Sequence, residues 1–372
     1  MIIFKREIEN QIINNLFKGG MVIILGPRQS GKTTLSQKII KTFGNDGAYF
    51  NCEFAEVRKH FVVGEPDQLL DLVKEKKIVV LDEAQTIQNI GKILKVFHDT
   101  YPQIQIIATG SSSFDLANKI KEPMTGRAFE FILPPLSVSE IKNYIEISQN
   151  KLEEIMLYGC YPAVIGAETI DQKKLELKKI ATNYLYKDVY MFESIHNPKV
   201  FEDLLLHLAY ATGSTVSVYK LGKDLGVAPS TIERYIRLLE QSYVIKRIYS
   251  YSRNFANELK KSYKIYFFDT GVRNAIVSSF EFDNKEKGTI FENLFFIEKM
   301  KKGFLEAFPP RLNFWRTKQG LEIDLIEERD KKIIAYECKL KDDNVSFSKF
   351  MKYYPNAETN VITLKNFVTF LE

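Results

Sequence analysis

The stretch that decides the fold of this chain is Gly26-Pro27-Arg28-Gln29-Ser30-Gly31-Lys32-Thr33. Its glycines, lysine and threonine have the spacing of a phosphate-binding loop, or P-loop. The apolar run 21–25 precedes this loop and the helix-forming run 34–40 follows it. A P-loop needs this setting between a strand and a helix, so the sequence predicts that the segment binds phosphate groups.

Each residue type in the loop has a physical task. Glycines let backbone N–H groups wrap a β-phosphate, and the N-terminus of the next helix adds a favourable partial charge. Lys32 is expected to reach the β- and γ-phosphates, and the Thr33 hydroxyl is expected to bind Mg²⁺. The residues expected to contact ATP are Gly26, Pro27, Arg28, Gln29, Ser30, Gly31, Lys32, Thr33 and Thr34.

A second apolar run, 77–81, leads directly into Asp82 and Glu83. Ligands of open α/β sheets bind at the carboxyl ends of the strands. Asp82 is therefore expected to hold Mg²⁺, and Glu83 to polarise the attacking water as a general base. This Walker B pattern predicts hydrolysis of ATP, with Lys32 and Glu83 in the catalytic set.

The surrounding runs predict an α/β fold with a parallel sheet, because short β-rich runs alternate with helical patterns. The expected strands are 21–25, 48–52, 77–81, 105–109 and 128–133. A strand–helix unit fits between Lys32 and Asp82, so the strand before Asp82 is not expected beside the P-loop strand. This arrangement resembles the additional-strand, AAA-like type of P-loop ATPase.

Three further residues are candidates for the catalytic set. Thr109 and Ser111 lie at the end of a predicted strand, where a hydroxyl would contact the γ-phosphate or its attacking water. A serine-rich turn without catalytic role is the alternative. Arg127 is a candidate for stabilising charge on the transferred phosphoryl group, in cis or from a neighbouring subunit of a homo-oligomer. A structural surface arginine is the alternative there.

Length and composition limit the class of protein. With 372 residues, the chain exceeds the size at which one hydrophobic core keeps growing, so several domains are expected. A hydrophobic content of 45% with 27% charged residues is typical of a soluble globular protein. The apolar runs are too short to cross a bilayer, and the three cysteines lack metal-ligand spacing. We therefore expect a cytoplasmic protein without a membrane partner.

Changes in pattern predict four segments. They are a P-loop ATPase domain at 1–136, a helical lid and linker at 137–213, a winged helix-turn-helix at 214–284 and a C-terminal α/β domain at 285–372. The first boundary follows Pro134 and Pro135, after which Ser137 to Glu140 has capping-box spacing.

The third segment concentrates positive charge. Residues 214–262 hold nine Lys and Arg against four Asp and Glu, which favours DNA as a partner. The candidate DNA contacts are Ser230, Thr231, Arg234, Arg237, Lys246, Arg247 and Arg253. Glu233 and Glu240 on the same predicted helix would repel phosphates, so a module that packs against protein is the alternative.

The C-terminal segment orders its acids as Glu292, Asp324 and then Glu337-Cys338-Lys339. Glu337 and Lys339 share a face of their predicted strand, beside Asp324 if the two strands pair. Asp324 and Glu337 would then bind Mg²⁺, Lys339 would position a water, and Glu292 would approach from a helix. This chemistry is phosphodiester hydrolysis; an inert binding scaffold is the alternative.

Several motifs together resemble an uncharacterised prokaryotic family of AAA-superfamily ATPases. They are GPRQSGKTTL, VVLDEAQ, ATGSSS, GRAFEFILPPLSVSE and GCYPAV. The resemblance covers nearly the whole chain and implies an ATPase domain, a winged helix and a C-terminal domain similar to PD-(D/E)xK nucleases. Cys160 departs from the pattern, because relatives commonly carry a second glycine there.

Three functions follow from these features. The favoured one is an ATP-driven switch that binds DNA through the winged helix. The second is a DNA nuclease gated by ATP. The third is a signalling or assembly ATPase whose winged helix and C-terminal domain bind a protein partner.

Overall fold

The computed structural model of the chain describes residues 2–111, 126–183, 195, 197–252, 263–317, 319–341 and 345–371. The chain folds into two compact units. Met1–Pro135 with Gln241–Tyr243 make the first unit, and Leu136–Glu240 with Val244–Glu372 make the second. None of the described helices combines the length and the apolar character that crossing a membrane requires.

The first unit is built on a five-stranded sheet. Its strands are β1 (Met21–Leu25), β2 (Gly47–Asn51), β3 (Ile78–Asp82), β4 (Gln105–Gly110) and β5 (Ala128–Ile132). They are all parallel, in the order β2-β3-β4-β1-β5. The predicted parallel sheet is confirmed, each strand end lies within one residue of its expected place, and β4 separates β3 from the P-loop strand.

The helices of this unit are α1 (Glu9–Asn14), α2 (Lys32–Lys41), α3 (Ala55–Arg58), α4 (Pro66–Val73) and α5 (Ile90–Thr100). In α5 the apolar residues Ile90, Ile93, Leu94 and Phe97 recur at helical spacing, and all four are buried. The inner strands β1, β3 and β4 are buried along their whole length, as expected for strands of a parallel sheet that are covered on both faces.

The second unit begins with helices. They are α6 (Val138–Lys142), α7 (Gln149–Tyr158), α8 (Pro162–Ile165), α9 (Ile170–Asn183) and α10 (Pro198–Tyr210). Ser137 caps α6 with the capping box that the sequence predicts, since its side chain accepts from Glu140 N–H and the Glu140 side chain accepts from Ser137 N–H.

A small sheet and two helices follow in this unit. Their order is β6 (Thr215–Val216), α11 (Val218–Asp224), α12 (Pro229–Gln241), β7 (Ile245–Tyr249) and β8 (Tyr263–Phe267). The three strands are antiparallel, in the order β6-β8-β7. Helix α12 packs through buried Ile232, Ile236 and Leu239, the apolar positions expected from the sequence.

The C-terminal part of the second unit has a four-stranded sheet. After α13 (Thr270–Val277) and α14 (Asn284–Gly303) come β9 (Arg311–Arg316), β10 (Glu322–Arg329), β11 (Lys332–Cys338), α15 (Ser348–Tyr353) and β12 (Glu358–Ile362). The order is β12-β11-β10-β9, with β11 and β12 parallel and the other pairs antiparallel.

A buried aspartate joins the end of α7 to the start of α13. Asp269 accepts the N–H groups of Val272 at 3.0 Å and Cys160 at 2.7 Å. A Cβ on Gly159 would lie 2.0 Å from Asp269 Oδ1, and one on Gly271 would lie 2.1 Å from the Tyr158 carbonyl oxygen. The Gly159-Cys160 part of the GCYPAV motif therefore serves packing inside this unit.

Candidate functional site

The P-loop connects the end of β1 to the start of α2. A Cβ on Gly26 would lie 2.2 Å from the Leu133 carbonyl oxygen, so only glycine fits at this position. Gly31 has φ +100°, in the left-handed region that favours glycine. The two glycines therefore let the loop backbone reach the N-terminus of α2, where free N–H groups favour an anion.

Lys32 is the first residue of α2, and its side chain folds back over the loop. Its Nζ donates to the carbonyl oxygens of Gly26 and Pro27, each at 2.8 Å. The residue is 4% exposed. This ammonium lies where it would bind the phosphate oxygens of a nucleotide seated on the loop.

Asp82 is the meeting point of the site. Its Oδ2 accepts from the Thr33 hydroxyl at 2.8 Å and from the Tyr49 hydroxyl at 2.6 Å. Its Oδ1 accepts from the Thr109 hydroxyl at 2.5 Å. Strands β2 and β4 and helix α2 thus each bring one hydroxyl to the carboxylate at the end of β3.

Glu83 has a left-handed backbone, with φ 53°, at the point where the chain leaves β3. Its N–H donates to Thr109 Oγ1 at 3.1 Å. The Gln85 amide donates to the Glu83 carboxylate and to Ser111 Oγ, the latter at 3.1 Å. The structure therefore places Thr109 and Ser111 close to the two acids, together with Gln85, and their contact with a γ-phosphate stays a prediction.

Arg127 lies at the amino ends of the strands, whereas the P-loop and Asp82 lie at the carboxyl ends. Its carbonyl oxygen accepts from Met21 N–H, at the start of β1, whereas the P-loop follows the end of that strand. Its guanidinium forms an ion pair of 2.8 Å with Asp99 on α5. The expectation that Arg127 acts in cis on the phosphoryl group is not met, because a residue that precedes a parallel strand lies opposite the carboxyl ends.

Arg6 contacts the site but was not predicted from any sequence pattern. It is buried, and its guanidinium donates to the carbonyl oxygens of Ser30 at 2.7 Å and Pro134 at 2.6 Å. It thereby fixes the P-loop from the N-terminal segment, and no motif around residue 6 signals this contact.

The residues present fit a magnesium nucleotide. Mg²⁺ in nucleotide sites is held by one or two carboxylates together with substrate phosphates, and Thr33 and Asp82 are oxygen donors of this kind. The Ser30 hydroxyl inside the loop is buried and lacks a hydrogen-bond partner among the residues that the structure describes. A buried polar atom of this kind is satisfied when a polar ligand covers it.

The second unit brings together the residues predicted for a nuclease-like site. Asp324 and Glu337 lie on the paired strands β10 and β11. Asp324 Oδ2 accepts from Cys338 N–H at 2.8 Å, and Lys339 Nζ donates to Glu337 Oε1 at 3.0 Å. We call this group, with Glu292, Glu322 and Lys264, the acidic centre.

Two members of the acidic centre, Lys264 in β8 and Glu322 in β10, were not among the residues predicted from the sequence. Lys264 is 1% exposed, and its Nζ lies 2.8 Å from Glu292 Oε1. It forms a second ion pair with Glu322 and lies over the Phe314 ring, 5.3 Å from the centroid. Tyr266 also donates to Glu292.

Burial raises the pKa of Glu292 to about 7; the nearby Asp324 carboxylate adds to the rise, while Lys264 opposes it. Burial and Asp324 likewise raise the pKa of Glu337. Burial lowers the pKa of Lys264, but Glu292 and Glu322 outweigh it, and the pKa ends above its ordinary value. The acidic centre has more carboxylates than lysines, and it therefore holds protons more readily than isolated acids do.

The expected metal geometry at Glu292 is not found. Across the described parts of the chain, no three His, Cys, Asp or Glu side chains converge to hold a metal ion. The cation that pairs with Glu292 in this structure is the Lys264 ammonium. Asp324 and Glu337 remain neighbours, but Glu292 is committed to Lys264.

The predicted DNA contacts divide into two groups. Ser230, Arg234 and Arg237 are exposed on α12, and Thr231 is half-buried there. Arg253 lies outside the described residues.

The two described basic residues of β7 are engaged by acids of α12. Arg247 pairs with both Glu233 and Glu240, and its side chain is 14% exposed. Lys246 pairs with Glu240 at 3.1 Å. The expectation that Arg247 is available to phosphates is therefore wrong, because the acids expected to repel DNA neutralise it instead.

Three family models match successive parts of the chain. Residues 18–142 match an AAA domain, residues 149–283 a domain of unknown function (DUF8612), and residues 287–368 another domain of unknown function (DUF4143). The AAA match coincides with the five-stranded parallel sheet and the P-loop. This part of the chain is therefore similar to an AAA domain, and its five-stranded parallel sheet is consistent with a P-loop nucleotide-binding core.

Two relatives extend over most of the chain. An uncharacterised protein of Methanocaldococcus jannaschii is 29% identical, over 92% of this chain and 84% of its own length. One of Mycobacterium tuberculosis is 25% identical, over 95% of this chain and 77% of its own. The similarity therefore includes the second unit as well as the nucleotide-binding domain.

Solved structures are more distant. The Bacillus subtilis DNA clamp loader delta protein is 12% identical over 77% of this chain and 99% of its own, with a TM-score of 0.28. The Pif1 helicase of Candida albicans is 16% identical over 48% of each chain, with a TM-score of 0.26. Scores of this size do not establish a shared fold.

Proposed function

We propose that the chain is a Mg²⁺-dependent ATPase whose nucleotide state changes its contact with DNA. The hydrolytic part rests on one observation, the hydrogen bond of 2.8 Å between Thr33 Oγ1 and Asp82 Oδ2. This bond joins the P-loop to the strand that carries Asp82 and Glu83, so the phosphate-binding and metal-binding groups occupy one site.

The chain's own residues divide the work. Lys32 binds the β- and γ-phosphates, and Thr33 and Asp82 hold the metal, which neutralises charge on the phosphates when bound. Glu83 accepts a proton from the water that attacks the γ-phosphorus as the bond to ADP breaks. Gln85 and Ser111 orient Glu83, while Thr109 forms hydrogen bonds with both the Asp82 carboxylate and the Glu83 backbone.

Steady-state ATP turnover tests this proposal. Wild type is expected to hydrolyse ATP with Mg²⁺ and to lose turnover in EDTA. Lys32→Ala is expected to lose it, because the ammonium that binds the phosphates is removed. Lys38→Ala is the matched control, since Lys38 lies on the same helix in an exposed ion pair with Glu9. Equal turnover in wild type and Lys32→Ala would exclude the P-loop as the source of activity.

The DNA part rests on α12. The order α10-β6-α11-α12-β7-β8, with strands arranged β6-β8-β7, supports a winged helix in which α12 is the recognition helix. Arg234 and Arg237 are exposed on it. We propose that these two arginines neutralise phosphates of the duplex.

A salt titration of duplex binding tests this step. Arg234→Ala with Arg237→Ala is expected to weaken binding and to flatten its dependence on salt, because two phosphate contacts are lost. Arg311→Ala, an exposed arginine of the same unit paired with Glu328, is the control. Salt-independent or undetectable DNA binding by wild type would favour the signalling or assembly function, with a protein as partner.

A DNA nuclease is the second candidate, favoured by the grouping of Asp324, Glu337 and Lys339. It is tested by Mg²⁺-dependent cleavage of duplex DNA by wild type and by Asp324→Ala. Cleavage that the substitution abolishes would establish it. Uncut DNA in both proteins, with ATP turnover intact, would leave the acidic centre as part of a binding scaffold.

A further inference from the structure

The Walker B aspartate has a partner outside the P-loop motifs. Tyr49 donates its hydroxyl to Asp82 Oδ2 at 2.6 Å, the same oxygen that accepts from Thr33 at 2.8 Å. Asp82 itself is 2% exposed. Three hydroxyls thus enclose this carboxylate, and only Thr33 belongs to the nucleotide loop.

Strand register explains how Tyr49 reaches the site. In the parallel pair of β2 with β3, Tyr49 lies opposite Val80, two residues before Asp82. Side chains two apart share a face, so Tyr49 and Asp82 project to the same side of the sheet, and the long tyrosine side chain spans the diagonal. The inserted strand β2 therefore contributes to the site as well as to the sheet.

Tyr49 also interacts with a second group, the Gln37 side chain of α2, the helix that begins at the P-loop. Burial raises the pKa of Tyr49, the bond to Asp82 raises it further, and Gln37 lowers it.

The three donors cannot play the same part once metal arrives. Thr33 is the P-loop hydroxyl expected to turn an oxygen lone pair to Mg²⁺, which weakens its bond to Asp82. Thr109 holds the other carboxylate oxygen. Tyr49 is then the remaining group of these three that fixes Oδ2, and partners of this kind commonly change metal affinity tenfold or more.

We infer that Tyr49 is a positioning residue for magnesium-dependent nucleotide binding, acting through Asp82. The inference rests on the metal site of the proposed function, but it does not require hydrolysis. Tyr49 touches neither phosphate nor water in this assignment. Its effect is to keep Oδ2 in the orientation that the metal needs.

Binding of a fluorescent ATP analogue, titrated with Mg²⁺ and again with EDTA, tests the inference. Tyr49→Phe keeps the ring and removes the hydroxyl. We expect its affinity with Mg²⁺ to fall about tenfold, with the Mg²⁺ concentration for half-maximal binding rising by a similar factor. In EDTA its affinity should equal that of wild type, which also shows that the P-loop is folded.

Tyr101→Phe is the matched control, because the Tyr101 hydroxyl also donates to an aspartate of the first unit, Asp67. It should match wild type under both conditions. A Mg²⁺ enhancement retained in full by Tyr49→Phe, or an equal loss with Mg²⁺ and with EDTA, would overturn the inference alone. A wild type that binds equally in Mg²⁺ and EDTA would overturn it together with the metal part of the proposed function.

Discussion

Each of the two units gathers carboxylates at one site, but the groups that pair with those carboxylates differ. In the first unit Asp82 accepts hydrogen bonds from three neutral hydroxyls, those of Thr33, Tyr49 and Thr109. In the second unit Glu292 faces the Lys264 ammonium, and Glu337 faces Lys339.

This difference has a physical consequence. Neutral donors orient a carboxylate and leave its charge for an incoming cation, whereas an ammonium cancels that charge inside the fold. The first site is therefore suited to a metal that arrives with a nucleotide. The acidic centre is suited to holding α14 against β8 and β10. Substitutions in the first should change nucleotide chemistry, and substitutions in the second should change stability.

Glu83→Gln should produce the largest effect. Removing the general base is expected to lower kcat by about 10²–10⁴-fold, while nucleotide affinity stays near that of wild type. Single-turnover hydrolysis and nucleotide binding measure the two quantities. Glu56→Gln, an exposed glutamate paired with Lys59, is the matched control. A fall in kcat of less than threefold would remove Glu83 from the chemical step.

Lys264→Met should affect stability instead. It leaves Glu292 and Glu322 without their buried cation, and breaking a buried pair of this kind costs about 3–5 kcal/mol. Trp315, the chain's one tryptophan, lies buried in β9 and reports unfolding of the second unit in urea. Lys332→Met is the control, because its ion pair with Glu358 is exposed.

Two outcomes would break the comparison. A loss below about 1 kcal/mol for Lys264→Met would show that the ammonium is not the cation on which the centre depends. Recovery of stability when Mg²⁺ is added to this variant would show that the acidic centre accepts a metal. Either result would make the acidic centre more similar to the nucleotide site of the first unit.

The sequence predicts the sheet and the nucleotide site of the first unit well, because ligands of a parallel sheet bind at the carboxyl ends of its strands. The apolar runs set β1 and β3, and the residues that follow them, Gly26 and Asp82, mark the site. Tyr49 and Lys264 were not predicted from the sequence, for one shared reason. Each reaches its partner through strand or helix packing across many residues, and no local pattern records that register.

The described contacts weigh against a cis role for Arg127 and against a phosphate contact for Arg247, for physical reasons that these residues make clear. Arg127 is near a strand in sequence, but it precedes the strand, and parallel strands place their starts opposite their ends. Arg247 has the charge of a DNA contact, but Glu233 and Glu240 lie close enough to pair with it. A count of charges along the chain does not separate paired from available arginines.

The pH dependence of stability tests the acidic centre more finely. Glu292 has a pKa of about 7 in the fold against an ordinary 4.5, so the folded state binds its proton more tightly than the unfolded state. The contribution of Glu292 to the free energy of unfolding is therefore fully present below about pH 4.5 and is lost as the pH rises through about 7. Lys264 and Tyr266 face this carboxyl, with Asp324 close by.

Glu292→Gln should remove this part of the pH dependence. The free energy of unfolding, followed at Trp315, is expected to fall by up to about 3 kcal/mol from pH 4.5 to pH 8 in wild type, and by less in the variant. Glu358→Gln, exposed in the same unit, is the control. Parallel pH profiles for wild type and Glu292→Gln would contradict the raised pKa.

Arg127→Ala should have the smallest effect on turnover, because its guanidinium, at the amino ends of the strands, pairs with Asp99. We expect kcat to change by less than about twofold, since exposed ion pairs contribute little. Asp99→Ala should behave in the same way, as it breaks the same pair. A tenfold loss in Arg127→Ala alone that depends on protein concentration would instead place this arginine in the nucleotide site of a neighbouring subunit.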